Sequence, residues 1–177
     1  MIDRAANGDE EAFGDLYERY LEPIYRYVYY RVPTPEEAED LTETIFLRAW
    51  ETLVMKKNTK IENFKAWIYR IAHNLTVDFH RKKKPIQMES SQMGATIQPD
   101  SPNPEIEVQK KLSEQSLNKA IEKLEETFQN VIVLRFFNKL SHAETAEVLG
   151  IKEGNVRVIQ YRALKKLQTY LNEDNYE

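Results

Sequence analysis

The 177-residue chain contains no cysteine, which excludes disulfide staples, thiolate metal sites and a cysteine nucleophile. It has only five glycines, none clustered, so the phosphate-cradling loops of nucleotide-binding folds are missing. No uninterrupted apolar run approaches the roughly 20 residues that a membrane span needs, and no secretory signal leads the chain. The expectation is a cytoplasmic protein without membrane insertion. Alternating strand-like runs, Asn-Gly hairpins and repeats at solenoid periods are absent too. What is present, 41% hydrophobic and 31% charged residues, suits a soluble globular chain of one medium domain or two small ones. Formal net charge is −4, which at first sight argues against a nucleic-acid partner.

The distribution of that charge changes the argument. Residues 1–51 carry 5 basic and 13 acidic side chains, whereas residues 52–84 carry 9 basic and 2 acidic. A nearly neutral strip follows, and the five bases of residues 150–177 all precede residue 167. An acidic block therefore stands beside a basic one, with a second basic helix near the C-terminus.

Four of the seven prolines (Pro85, Pro99, Pro102, Pro104) fall in the serine-containing strip PIQMESSQMGATIQPDSPNP, whose apolar content is too low to offset its ordering entropy. It reads as a flexible linker, residues 85–108, between segments 1–84 and 109–177. Both segments show helical periodicity. Phe13, Leu16, Tyr17, Tyr20, Ile24, Tyr25, Val28 and Val32 mark one stripe; Pro23 within it predicts a kink or restart, and Pro33 and Pro35 its end. A second stripe runs through Ala38, Leu41, Ile45, Ala49 and Leu53, with Thr34 or Thr42 as its cap. A third, capped by Asn63, contains Phe64, Trp67, Ile68, Ile71, Ala72, Leu75 and Phe79.

The back of that third helix carries Arg70, His73, Asn74, Asp78, Arg81 and Lys82, preceded by the lysine loop with Lys56, Lys57 and Asn58. A basic, amide-bearing face opposite an apolar stripe suits a helix lying along a phosphate backbone. An ordinary solvated face is the bland reading. A metal site is not expected from two histidines and one carboxylate without cysteine.

In the second segment, Ser141-His142-Ala143-Glu144 forms a capping box, Gly150 stops the helix, and Val156, Ile159, Ala163, Leu164 and Leu167 form the inward stripe of the next. Ala146, Gly150 and Val156 have helix-turn-helix spacing. Lys152, Asn155, Arg157, Val158, Tyr161, Arg162 and Lys165 then lie where a recognition helix meets the major groove. Leu117, Ile121 and Leu124, then Phe128, Val131, Ile132, Leu134 and Phe136, supply supporting helices. The fold expected is all-α, two small helical domains joined by a flexible linker, the C-terminal one a helix-turn-helix.

Four stretches in order, NGDEEAFGDLYERY (7–20), DLTETIFLRAW (40–50), FKAWIYRIAHNLTVDFHRKKK (64–84) and LRFFNKLSHAETAEVLGIKEGNVRVIQYRALKKL (134–167), resemble bacterial RNA polymerase sigma factors of the extracytoplasmic-function group. The resemblance implies a protein that binds core polymerase, directs initiation at particular promoters and aids their melting. It also implies a protein that is not an enzyme and takes no cofactor. It implies that residues 1–84 melt the promoter and bind polymerase, with Asp40, Leu41, Glu43, Phe46, Arg48 and Trp50 on the clamp helices of the largest subunit. Asn74 and Asp78 would meet the minus-ten element, Arg81 and Lys82 its phosphates, and Lys56, Lys57 and Asn58 an extruded base. Residues 109–177 would read the minus-thirty-five element and meet the flap of the second-largest subunit. Glu43 replaces a common glutamine, and Val158 and Ile159 the commoner serine and arginine, so sequence preference does not transfer. An anti-sigma factor is a plausible further partner. A stand-alone helix-turn-helix regulator would explain the second segment but not the basic helix and lysine loop of the first.

Overall fold

The structure, a computed structural model, describes residues 1–55, 61–83 and 116–173. The proposed linker 85–108 and the loop residues Lys56, Lys57 and Asn58 lie outside the described residues. All described regular elements are helical. In order they are α1 (Ile2–Ala6), α2 (Glu10–Tyr29), α3 (Pro35–Met55), α4 (Phe64–Lys83), a helical stretch over 116–122 (α5), α6 (Glu126–Ile132) continuing into a π-helical turn (Val133–Phe137), α7 (His142–Leu149) and α8 (Glu153–Glu173).

Local chemistry accounts for most boundaries. The Asp9 carboxylate caps α2 by accepting from the Ala12 amide at 3.0 Å. Thr34 caps α3, its hydroxyl accepting from the Glu37 amide at 3.2 Å. Thr42 lies inside that helix and donates back to the Ala38 carbonyl. Pro35 therefore opens α3 as its first residue, where a missing N–H is harmless, rather than closing α2. Asn63 accepts from the Ala66 amide at 3.1 Å and starts α4. The Ser141–Glu144 capping box is complete in both directions, and Gly150 ends α7 at φ 66°, a left-handed conformation that glycine adopts without strain.

Of the two outcomes expected at Pro23, a restart does not occur, since α2 passes through it as one 20-residue element. Interior proline costs about 3 kcal/mol, but Leu16, Ile24, Tyr27 and Val28 on its inner face are buried, and burial of such side chains contributes more. The C-terminal module adds support, since the Asn138 side-chain amide donates to the Pro23 carbonyl at 3.0 Å.

The two modules pack on one another. The main core joins Leu16, Ile24, Ile45, Leu53, Ile68 and Tyr69 of α2–α4 to Val133, Leu134, Leu140 and Val148 from the other module. Two smaller clusters, around Ile121, Leu124, Ile132 and Leu167 and around Val131, Ala146 and Val156, hold the helix-turn-helix together. Two expected core residues, Phe136 (48% exposed) and Leu164 (42%), face solvent instead. The wider π-helical turn rotates Phe136 away from the face set by Val133 and Leu134. In α8 the buried seam runs through Val156, Ala163 and Leu167, and Leu164 lies about 80° round from it.

Polar contacts tie the same interface. Asn138 also donates to the Tyr69 hydroxyl at 2.9 Å. Asn63 donates to Glu144 at 3.3 Å, and Lys65 bonds the Lys139 carbonyl at 3.2 Å while sitting 3.7 Å from Glu144. Glu144 thus serves its own helix cap and the neighbouring module at once.

Candidate nucleic-acid and polymerase interfaces

Helix α4 is amphipathic across its two faces. Ile68, Tyr69, Ala72 and Thr76 are buried, while Arg70, Asn74, Arg81 and Lys82 are exposed and Asp78 is half-buried. Arg81 lies 3.1 Å from Asp78, one turn earlier, which orients the guanidinium along the outer face. His73 sits at the edge of this face and turns inward; its Nδ1 lies 3.2 Å from the Tyr27 hydroxyl. The last turn is basic, and Lys83 pairs with Glu37 of α3.

On α8 the recognition face is open. Lys152, Asn155, Arg157, Val158, Tyr161, Arg162 and Lys165 are all exposed, whereas Val156 and Ala163 behind them are fully buried. Arg157 is held by Glu153 at 2.6 Å, one turn earlier, and the Lys165 ammonium lies 4.9 Å over the Tyr161 ring. Val158 (49% exposed) and Tyr161 (61%) give this cationic face an apolar centre. Such groups complement thymine methyls, as arginine and asparagine complement guanine and adenine edges.

The acidic helix α3 presents a different surface. Asp40, Glu43 and Arg48 are exposed, Leu41 and Phe46 are buried beneath them, and Trp50 is half-buried. Leu41 and Phe46 therefore set the position of the exposed residues rather than forming the surface. A groove of about 430 Å³ runs between α2 and α3, lined by Glu10, Phe13, Tyr17, Glu43, Phe46, Leu47 and Trp50. Ring pairs Phe13–Trp50 at 4.9 Å and Tyr17–Phe46 at 4.8 Å build its wall. Leu47, 59% exposed beside it, was missed by periodicity because an apolar residue off the buried stripe carries no pattern signal.

Among the described residues no group of three or more histidine, cysteine, aspartate or glutamate side chains could hold a metal, and no helix is long and apolar enough to cross a membrane.

Residues 16–86 match the family described as Sigma-70 region 2, and residues 120–169 match Sigma-70, region 4. The chain is 37% identical over 175 residues to the ECF RNA polymerase sigma factor BldN of Streptomyces coelicolor, covering 98% of this chain and 66% of that protein. It is 32% identical to the ECF RNA polymerase sigma factor SigW of Bacillus subtilis, covering 97% of this chain and 95% of SigW. In fold it is similar to CnrH, solved in complex with the cytosolic domain of CnrY (TM-score 0.74, 24% identity, 98% of this chain and 96% of that one). It is also similar to the sigma factor RpoE, solved with the anti-sigma factor NepR from Bartonella quintana (TM-score 0.72, 21% identity, 92% and 98%). With an aromatic groove flanked by carboxylates in the first module, a basic helix on each module, both sigma-70 regions in order and an end-to-end match to SigW, the chain belongs to the ECF family of RNA polymerase sigma factors.

Proposed function

We propose that this sigma factor docks core polymerase through the exposed face of α3 and reads promoter DNA with α4 and α8. In this reading, residues 1–84 form the melting and polymerase-binding unit and residues 109–177 the minus-thirty-five unit, with 85–108 as the linker. Asp40, Glu43 and Arg48 meet the clamp helices, positioned by Leu41, Phe46 and Trp50, and the acidic rim favours encounter with a basic partner. Arg70, Asn74, Asp78, Arg81 and Lys82 engage the minus-ten element, with Lys56, Lys57 and Asn58 at an extruded base. Lys152, Asn155, Arg157, Val158, Tyr161, Arg162 and Lys165 engage the minus-thirty-five element. The protein acts in the cytoplasm by binding, not by catalysing a reaction. A protein of the anti-sigma class is a further proposed partner, supported by the complexes in which CnrH and RpoE were solved.

The observation that carries this reading is that the basic faces of α4 and α8 both stay open to solvent although the modules bury a common core. Each surface is ready separately. Elements centred 25 base pairs apart are separated by about 85 Å of duplex, whereas a compact 177-residue chain is roughly 40 Å across. Both elements can be engaged only after the modules part. Run-off transcription with core polymerase, with and without the protein, tests the function. A core-dependent transcript from some member of a promoter library is expected, and none would refute the reading.

A further inference from the structure

Helix α8 turns four residues directly away from its buried seam. Opposite Val156, Ala163 and Leu167, the residues Gly154, Val158, Tyr161 and Lys165 follow one another at helical spacing, and all four are exposed. The fold itself does not call for glycine at 154. Its φ is not left-handed, an added Cβ would meet nothing within 4 Å, and glycine is a poor helix former. Val158 sits at the centre of the stripe, 49% exposed, with Gly154 and Asn155 one turn before it and Tyr161 and Arg162 one turn after.

Cations surround this apolar centre. Lys152, Arg157, Arg162 and Lys165 are exposed on the same helix, and the one acidic side chain between residues 152 and 168, Glu153, is engaged with Arg157 at 2.6 Å. The Lys165 ammonium lies 4.9 Å over the Tyr161 ring.

We propose that Val158 reads a thymine in the minus-thirty-five element through its 5-methyl group, with Gly154 admitting the base-pair edge beside it. The combination of groups selects the occupant. Clustered cations call for a polyanion, and an apolar side chain at their centre calls for an apolar group on the floor of an anionic groove. A duplex supplies both, because phosphates line its major groove and thymine displays a methyl group there, the only methyl among the four bases. A purely phosphate-binding face would be served by another cation at 158; valine adds attraction only against an apolar group. Tyr161 borders the same position one turn later, and Arg157 and Arg162 on either side remain for phosphates or guanine edges. The inference rests on the sigma-factor reading and adds which base is read and by which contact.

Deoxyuridine provides the test, because it lacks only the methyl group of thymidine and pairs with adenine in the same way. The promoter is the library member giving the strongest core-dependent run-off transcript. Each thymine of its minus-thirty-five element, on either strand, is replaced singly by deoxyuridine. Binding by holoenzyme assembled from core polymerase and the full chain is then measured at several salt concentrations. One replacement is expected to weaken wild-type binding about fourfold, the contribution of one buried methyl group, and to have no effect in V158A. V158A itself should weaken binding to the unmodified promoter by a similar factor with an unchanged salt slope, since no phosphate contact is lost. Its helix content is preserved because Val158 is exposed. G154A should weaken binding while raising Tm, because its methyl occupies open space in the free protein and meets the duplex in the complex.

An element without thymine on either strand, binding insensitive to every replacement, or equal sensitivity in wild type and V158A would overturn the inference. So would a salt slope reduced by about 1 in V158A, or unaltered binding in G154A. Absence of any core-dependent transcript overturns the sigma-factor reading and this inference with it, whereas transcription without a methyl effect overturns the inference alone.

Discussion

Asn138 offers the most direct measurement of what holds the modules together. Its side-chain amide donates at 3.0 Å to the Pro23 carbonyl and at 2.9 Å to the Tyr69 hydroxyl, 115 and 69 residues away. Burial pushes the Tyr69 hydroxyl pKa well above its ordinary value of 10.0, so it remains neutral throughout the physiological range. In Asn138→Ala both bonds are lost, at about 1 kcal/mol each. The Asn138 Oδ1 is itself buried without a partner, and deleting it returns up to about 1 kcal/mol. The Pro23 carbonyl keeps its place in the ladder of α2 and is not left unpaired. The net loss is about 1 kcal/mol, roughly a fivefold fall in the closing equilibrium. The Asn138 amide bond to the Val133 carbonyl, and φ −98°, are both compatible with alanine, so the turn is preserved. The chain has no cysteine, so cysteines replacing the exposed residues Glu18 on α2 and Gln168 on α8 carry a donor–acceptor dye pair whose transfer efficiency reads the change at pH 7.5. A shift below threefold would refute the claim that these two bonds secure closure.

The other expectations concern individual surfaces. Gly150→Ala is expected to cost about 1–2 kcal/mol, and to lower Tm by about 2–4 °C per kcal/mol. The φ of 66° is left-handed, whereas no neighbour lies within 4 Å of an added Cβ, so the whole effect is conformational; an unchanged melting curve would count against it. Arg157→Ala and Arg162→Ala should each weaken minus-thirty-five DNA binding and reduce the salt slope by about 1, as measured by titration at several ionic strengths. In Arg157→Ala, Glu153 is also freed from its 2.6 Å pair and repels phosphate, so this variant should lose more. Asp40→Lys should reduce capture of core polymerase with an unaltered circular dichroism spectrum, because Asp40 is exposed and its helix is anchored by buried Leu41 and Ile45.

Much of the helical organisation was legible in local chemistry. Thr34, Asn63 and Ser141 act as caps, Glu144 completes the box, and Gly150 turns the chain, because capping depends on neighbours within four residues. Helical periodicity likewise located the inner faces of α3 and α4. It failed at Phe136 and Leu164. Near the first a π-helical turn breaks the 3.6-residue count, and at the second the buried seam is narrower than the apolar stripe. It also allowed a restart at Pro23, where α2 runs on because the local penalty is offset by a core and by Asn138 from 115 residues away. Of the candidate residues, Arg70, Asn74, Arg157 and Arg162 face solvent as expected from their spacing, and His73 turns to Tyr27.

Sequence alone determined that the chain is helical, that an acidic block of 13 carboxylates against 5 bases precedes a basic one, and that a helix-turn-helix closes it. These follow from spacing, capping and charge, which act over a turn or two of helix. Only the tertiary structure decided that the modules share a core, that Glu144 caps α7 while contacting Asn63 and Lys65, and that Arg31 is buried opposite Glu126. Those polar contacts join residues 79 to 95 positions apart, and dehydration of Arg31 depends on every helix packed around it. No local pattern encodes such burial, because it is a property of the assembled interior.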